Sequence, residues 1–298
     1  MQIAYIGLGK MGLNMVTRMI EHGHSVVAFD PNEEARKQAE EIGATTAESL
    51  AELVKAVEAP RNIWLMVPHQ AVEDVLDELA PLIDEGDTII EGGNSPFKET
   101  MRRAQAHEER GVHFLDAGVS GGPGGARSGA CIMVGGERET YEKYADLFKD
   151  LSVEDGYAYM GKHGAGHYVK MVHNGIEYGM MQALAEGFDL MKQSDFDLPL
   201  TDIARLYNHG SVIESKLVGW LLSGFEKYSD DLTGITGSAS ASGEGLWTVE
   251  TAKEDGVPVA VIEDSLKARE LSQKNPSYQG QLISVMRNQF GGHDAADK

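Results

Sequence analysis

The first half of the chain alternates short apolar runs with segments whose apolar positions recur at helical spacing. IAYIG (3–7) is strand-like and ends on glycine, and a helical pattern from Met11 to His22 follows. SVVAFD (25–30) reads as a second strand, residues 33–42 as a helix, and NIWLMV (62–67) as a strand stopped by Pro68. AVEDVLDELAPLI (71–83) has helical spacing, DTIIEGG (87–93) is a strand, and 97–110 is a helix. The runs VHFLDAG and ACIMVGG complete the series. Strands that alternate with helices predict βαβ units and a doubly wound, mostly parallel sheet of Rossmann type.

After about residue 163 the glycine-bounded strands stop. Helical segments over 164–193 and 199–224, then several shorter ones, take their place. The pattern predicts an α/β dinucleotide-binding domain over 1–163 and an all-α domain over 164–298. GSASASGEG (237–245) is a nine-residue Ser/Gly loop inside helical sequence, too short for a linker, and reads as a surface or site loop.

Composition narrows the class. At 298 residues, 42% hydrophobic and 24% charged, the chain has the make-up of an ordinary globular enzyme with room for two domains. A formal charge of −21 argues against nucleic acid or an anionic membrane surface as partner, and any anionic ligand needs local cations to overcome it. No apolar run approaches 18 residues, and the start MQIAYIGLG lacks a basic leader, so a cytoplasmic location is expected. The single cysteine, Cys131, excludes an intramolecular disulfide, and its setting in ACIMV predicts a buried small hydrophobe.

Gly7, Gly9 and Gly12 form GLGKMG between a predicted strand and a predicted helix, so Gly7 to Gly12, with Leu8, Lys10 and Met11, is assigned to dinucleotide phosphates. The glycines allow a tight turn, close approach of a pyrophosphate, and close helix–strand packing, with the helix N-terminus facing the phosphates. Asp30 closes the second strand 18 residues after Gly12, where a carboxylate accepts from ribose hydroxyls and repels a 2′-phosphate. The nearest arginine, Arg36, is six positions on, so NAD is expected over NADP. Val67 and Pro68 end the next strand and are placed with the cofactor. Asn94 follows a strand end, where doubly wound sheets present ligand-contacting groups. Ser120, Gly121 and Gly122 offer a hydroxyl and bare N–H groups that can hold a carboxylate.

KMVHNGIEYG (170–179) gathers four polar side chains. On a helix Lys170, Asn174, Glu177 and His173 fall at about 0°, 40°, −20° and −60°, one face. A metal is not expected: His167 and His173 are about 240° apart on such a helix, and His163 and His167 straddle Gly164 and Gly166.

GLGKMG, EGGNS, DAGVSGG and IMVGG, with a lysine in the first helix of the second domain, resemble the β-hydroxyacid dehydrogenase superfamily. Within it, GAGHYVKMVHNGIEYGMMQ resembles the signature of the decarboxylating 6-phosphogluconate dehydrogenases, as do GVP followed by Arg269 and the ending RNQFGGH. The resemblance runs from residue 3 to about 293 and points to the short, often NAD-linked branch, which lacks the duplicated helical domain.

It implies that Lys170 is the general base at C3, its pKa lowered by burial and positive neighbours. It further implies that Glu177 is the acid at C1, that His173, Asn174 and Asn94 orient substrate hydroxyls, and that Ser120, Gly121 and Gly122 hold the carboxylate. Tyr178, Arg269, Arg287 and His293 are implied around a substrate phosphate, the last two from a C-terminal tail reaching a partner subunit. A homodimer or homotetramer follows, with the helical domain serving substrate binding and dimerisation. The implied substrate is 6-phosphogluconate, converted to ribulose 5-phosphate and CO₂ with no metal. One departure stands out. Long members carry a lysine and a threonine before the tryptophan that is Trp247 here, and SGEGLW aligned without a gap puts Ser242 and Glu244 there. This leaves room for the alternative, a dehydrogenase of an unphosphorylated 3-hydroxy acid that does not decarboxylate.

Overall fold

The computed structural model describes residues 1–241 and 243–296. In chain order the elements are β1 (Gln2–Ile6), α1 (Lys10–Glu21), β2 (Ser25–Phe29), α2 (Glu33–Glu41), β3 (Thr45–Thr46), α3 (Leu50–Lys55), β4 (Asn62–Leu65), α4 (His69–Leu79), β5 (Thr88–Glu91), α5 (Phe97–Glu108) and β6 (His113–Ser120). Then come α6 (Gly122–Ser128), β7 (Ala130–Gly136), α7 (Arg138–Lys143), α8 (Ala145–Leu151) and β8 (Ser152–Gly161). The helical part holds α9 (Ala165–Lys192), α10 (Leu200–Tyr207), α11 (Lys216–Tyr228), α12 (Glu244–Glu254), α13 (Ala260–Lys274) and α14 (Tyr278–Gly291).

The chain divides into two compact units, Met1–Lys170 and Met171–Lys298. In the first, one sheet runs β3-β2-β1-β4-β5-β6-β7-β8. Its pairs are parallel except β6 with β7, where Ser120 faces Cys131. The strands read as continuous apolar runs because both faces are covered. Ile3 and Tyr5 of β1 join Val26, Trp64 and Leu115 in one core, under Met15, Val16 and Met19 of α1 and Phe148 of α8. Ala4 and Ile6 join Val27, Leu65, Ile89 and Phe114 in the other, under Leu53 of α3, Leu76 of α4 and Ala104 of α5. The period-two alternation of strand side chains sorts neighbouring residues into two separate cores. The second unit packs its own core around Met181, Phe188, Leu221, Phe225 and Met286.

Four differences from the sequence expectation have physical causes. The helix expected over 199–224 is two helices, because Gly210 turns the chain with φ +79 between Tyr207 and Lys216. The helix expected to reach residue 83 ends at Leu79, just before Pro81, which has no backbone N–H to continue the helical bonding. The strand β8, SVEDGYAYMG, is half exposed and too polar to stand out as an apolar run. Cys131 is exposed rather than buried: alternation along β7 turns it away from Ala130 and Ile132, both of which enter the core. Among the described residues no helix is long and apolar enough to cross a membrane.

The two-core assignment predicts contrasting costs. Phe114→Ala, at a fully buried site, lowers the unfolding free energy by about 3–5 kcal/mol. Cys131→Ala shifts it by less than about 0.5 kcal/mol. Denaturant melts of both variants check this, and similar costs at the two positions would contradict the assignment.

Candidate functional site

The carboxyl ends of β1, β4 and β5 carry the first part of the site, where the strand order reverses direction between β1 and β4. Gly7, with φ +100, turns the chain so tightly that a Cβ there would strike Met66 O and lie 2.9 Å from Val67 Cγ1. A Cβ on Gly12 would strike Gly7 O, so α1 packs directly on the turn. At Gly9 a Cβ would meet nothing within 4 Å, which leaves its backbone open on the side a pyrophosphate would take. Gly9 caps α1, no side chain caps that end, and no acid stands in the first turn. These residues fit a dinucleotide diphosphate. Leu8 is buried, Met11 is half-buried and Lys10 is exposed.

Asp30 closes the same loop from β2. Its Oδ2 accepts the Leu8 N–H at 2.7 Å and its Oδ1 accepts the Asn32 N–H at 2.8 Å. Arg36 Nη1 donates to Asp30 O at 2.8 Å, so the guanidinium comes back to the strand end although it stands six residues away. Val67 is half-buried between the Gly7 turn and Gly93, whose Cβ would sit 2.7 Å from Val67 O, and Pro68 caps α4.

Asn94 is exposed on the loop after β5, and a buried network underlies that loop. Ser95 Oγ donates to Glu91, Arg103 Nη1 reaches Glu91 at 3.4 Å and Ser95 Oγ at 3.3 Å, and Arg103 Nε meets Glu73 at 3.0 Å. No sequence signal marks Glu91, Ser95 and Arg103, because their joint role depends on α5 returning over β5.

The motif DAGVSGG is a joint between β6 and the start of α9. Buried Asp116 accepts the N–H groups of Gly164 at 2.7 Å and His167 at 2.9 Å. A Cβ on Gly118 would collide with the Lys170 side chain and sit 2.9 Å from Gly166 O. Lys170 is therefore seated against bare backbone, 7% exposed. Ser120, Gly121 and Gly122 follow at the strand end, half-buried, with positive φ at both glycines. Of the nearby histidines, His167 Nδ1 pairs with Thr100 Oγ1 at 2.8 Å, and His163 faces Glu108 at 3.0 Å. Among the described residues no group of three or more His, Cys, Asp or Glu could hold a metal ion.

Along α9, Asn174 is buried, and His173 and Glu177 are partly exposed. His173 Nδ1 lies 2.9 Å from Asn174 Oδ1 and 3.9 Å from Glu177 Oε2, so the polar stripe is a connected set of side chains. Helix α12 packs on the same helix: Thr248 Oγ1 donates to Met171 O at 2.8 Å, and a Cβ on Gly175 would lie 2.7 Å from Thr248 Cγ2.

Within the second unit Tyr178, Arg269 and Arg287 come together. The Arg269 guanidinium lies 3.5 Å from the centroid of the buried Tyr178 ring. Arg269 Nη1 donates to Ser240 O at 3.1 Å, and Arg287 Nη1 donates to Ser240 Oγ at 2.7 Å, so the Ser/Gly loop is held by both arginines. Burial pulls Arg269 down to about 10, with repulsion from Arg287 adding to it and Tyr178, Glu177 and Glu244 opposing it. Burial also lowers Arg287. Arg287 does not stand in a C-terminal tail: it lies within α14, whose run LISVMR is buried, and bonds to Ser240 of its own chain. His293 follows α14, exposed, its ring edge-on to Phe290 at 6.1 Å. The chain end returns to its own unit through Thr236 N–H to Ala295 O at 2.8 Å. Ser242 lies outside the described residues.

Residues 2–173 match the model for the NAD binding domain of 6-phosphogluconate dehydrogenase, and residues 166–289 match that for its C-terminal domain. The chain belongs to the 6-phosphogluconate dehydrogenase family. Its relatives include YqeC of Bacillus subtilis, provisionally named a 6-phosphogluconate dehydrogenase, 46% identical over all of both chains. The NAD(+)-dependent, decarboxylating 6-phosphogluconate dehydrogenase of Haloferax volcanii is 42% identical over 100% of this chain and 99% of its own. The solved 6-phosphogluconate dehydrogenase of Plasmodium falciparum, studied with NADP+ and with 6-phosphogluconate, is 28% identical with a TM-score of 0.81. That match covers 96% of this chain and 70% of the other.

The glycine geometry of this family member separates two effects. Gly12→Ala abolishes NAD binding and lowers the melting temperature, because its methyl group meets Gly7 O. Gly9→Ala leaves the melting temperature unchanged and weakens NAD binding. A fluorescence titration beside a thermal melt checks both, and an unchanged NAD affinity in Gly9→Ala would remove that backbone from the cofactor site.

Proposed function

We propose that this chain oxidises 6-phosphogluconate at C3 with NAD and decarboxylates the product to ribulose 5-phosphate. The observation that carries the reading is the face of α9, where buried Lys170 and partly exposed Glu177 stand two turns apart with Asn174 and His173 between them. Bound NAD supplies the hydride acceptor, held by the Gly7–Gly12 turn and Asp30. Lys170 as the neutral amine takes the proton of the C3 hydroxyl while the hydride leaves C3. Lys170 is only 7% exposed, and burial disfavours the ammonium form, as a base working near neutral pH requires. The protonated Lys170 then donates to the C3 carbonyl oxygen, and loss of CO₂ moves the bond electrons into the C2–C3 bond. Glu177 delivers a proton to the former C2 while Lys170 takes the enediol proton back from the C3 oxygen, completing the ketose. The β-keto acid is its own electron sink, so this route needs no metal.

Ser120 and the N–H groups of Gly121 and Gly122 receive the carboxylate, while Asn94, His173 and Asn174 orient hydroxyls. Tyr178, Arg269 and Arg287 receive the phosphate, with His293 supplied from a partner. NAD is preferred over NADP because the Asp30 carboxylate stands where a 2′-phosphate would come, although Arg36 reaches the same strand end.

Self-association belongs to the same reading. Ile176, Met180 and Leu190 are exposed on α9 and fall within about 80° of one another around it, an apolar stripe suited to a second copy in a homodimer or homotetramer.

The deciding assay supplies 6-phosphogluconate with NAD+ or NADP+ and follows reduced cofactor and CO₂ together. Equal amounts of both, with NAD+ the better substrate, are expected; reduction without CO₂ would favour a simple 3-hydroxy acid dehydrogenase. Glu177→Gln cuts kcat by about 10²-fold or more while the Kd for 6-phosphogluconate stays within about threefold. A parallel loss of binding would count against the acid role. Light scattering gives a mass of at least twice the 32.3 kDa chain, and Met180→Asp shifts it toward one chain. A single-chain mass for the unaltered protein would overturn the assembly.

A further inference from the structure

The arginine cluster contains an acid that a phosphate site has no evident use for. Glu244 opens α12 and is 6% exposed. Its neighbour Gly245 lies so close to Tyr178 that a Cβ would stand 2.6 Å from the ring's Cδ2, which brings the first turn of α12 onto the ring that carries Arg269. Arg269 is 2% and Arg287 8% exposed, and both meet Ser240, four residues before Glu244. The groups gathered here are therefore Glu177 and Tyr178 from α9, Ser240 from the loop, Glu244 from α12, Arg269 from α13 and Arg287 from α14. Glu244 and Glu177 each favour the charged form of both arginines. With both carboxylates ionised, two guanidiniums and two carboxylates leave the cluster with no net positive charge.

We propose that Glu244 is a specificity-determining residue that opposes the substrate's terminal phosphate. Its carboxylate competes with the phosphate for Arg269 and Arg287. A dianion entering the cluster meets a like charge in a buried place, where the repulsion is far less screened than at the surface. The cluster thus holds a phosphorylated sugar acid loosely and separates it only weakly from the same acid with a free terminal hydroxyl. The advantage is release: ribulose 5-phosphate keeps the phosphate, so a tighter grip on that group would also slow product departure. The ion cluster could instead serve only to keep two buried arginines in place, and that reading makes the opposite forecast for removal of the charge. The proposal rests on the reading of the site as one for 6-phosphogluconate.

Glu244→Gln keeps the shape and removes the charge. Isothermal titration is expected to show the Kd for 6-phosphogluconate falling about tenfold or more, equivalent to about 1.4 kcal/mol. Binding of D-gluconate stays within about twofold, and inorganic phosphate becomes a stronger competitor. Glu244→Thr is expected to follow it. A Kd for 6-phosphogluconate unchanged or raised in both variants would overturn the proposal and make Glu244 a support for the arginines. The unaltered protein gives a test free of folding effects: its Kd values for 6-phosphogluconate and D-gluconate are expected within about tenfold, and a ratio above about 10³ would overturn the proposal too. Should the unaltered protein release no CO₂ from 6-phosphogluconate, the reaction assignment fails separately, while the phosphate titrations still decide what Glu244 does.

Discussion

The fully buried Asp116 carboxylate, accepting N–H groups from Gly164 and His167, is the interaction on which the placement of Lys170 depends. The first N–H groups of a helix have no partner within it, and a negative charge there is favoured by the helix dipole. A buried carboxylate in turn needs such donors to offset its lost hydration. Asp116 answers both needs at once and fixes the start of α9 on β6. Three glycines let the backbones approach. A Cβ on Gly135 would stand 2.6 Å from Asp116 Oδ1, one on Gly166 2.7 Å from Asp116 O, and Gly118 receives the stem of Lys170. Three stretches separated in sequence, DAGVSGG, VGG and GAGH, thus belong to a single joint and its exit strand.

Much of the first unit could be read directly because its determinants are local. A glycine turn after an apolar strand announces a dinucleotide loop, and the structure shows a tight turn at Gly7, close packing at Gly12 and open space at Gly9. The polar face of α9 followed from helical periodicity alone, and KMVHNGIEYG together with its neighbours carried the family resemblance. What could not be read is what depends on distant returns of the chain. Arg103 meets Glu91 and Ser95 only because α5 comes back over β5, and no spacing rule encodes that. Arg36 illustrates the same limit at short range: six residues separate it from Asp30, yet the first turn of α2 brings its guanidinium to the Asp30 carbonyl. Gly210, Pro81 and Cys131 are plainer cases, in which one residue's local geometry overrode a pattern averaged over a window.

In the proposed reading the chain contains two kinds of anion site, and its overall charge explains why they differ. The diphosphate site relies on N–H dipoles at the start of α1, with Lys10 exposed beside them. Dipoles carry no net charge, so they cost little to hold in place when no ligand is bound. The site in the second unit relies on guanidiniums, which must be buried and must be kept charged. Burial lowers both arginines, and an empty pair would repel itself as well as lose hydration. Stacking on Tyr178, two bonds to Ser240 and the nearby carboxylates are what this sequence supplies against that cost.

Stability and ligand affinity therefore pull on the same groups. In the proposed reading, a carboxylate that makes two buried arginines tolerable in the free protein occupies the electrostatic place a phosphate would take. A neutral threonine there leaves more of the guanidinium charge for the ligand and requires the fold to bear it alone. A glutamate shifts the balance toward the free protein, and the ligand gains only the difference between its own charge and the one already present. Net charge alone cannot reveal such a choice. It appears only when the charges around one ring are counted together, and at Tyr178 that count among the described residues comes to two of each sign.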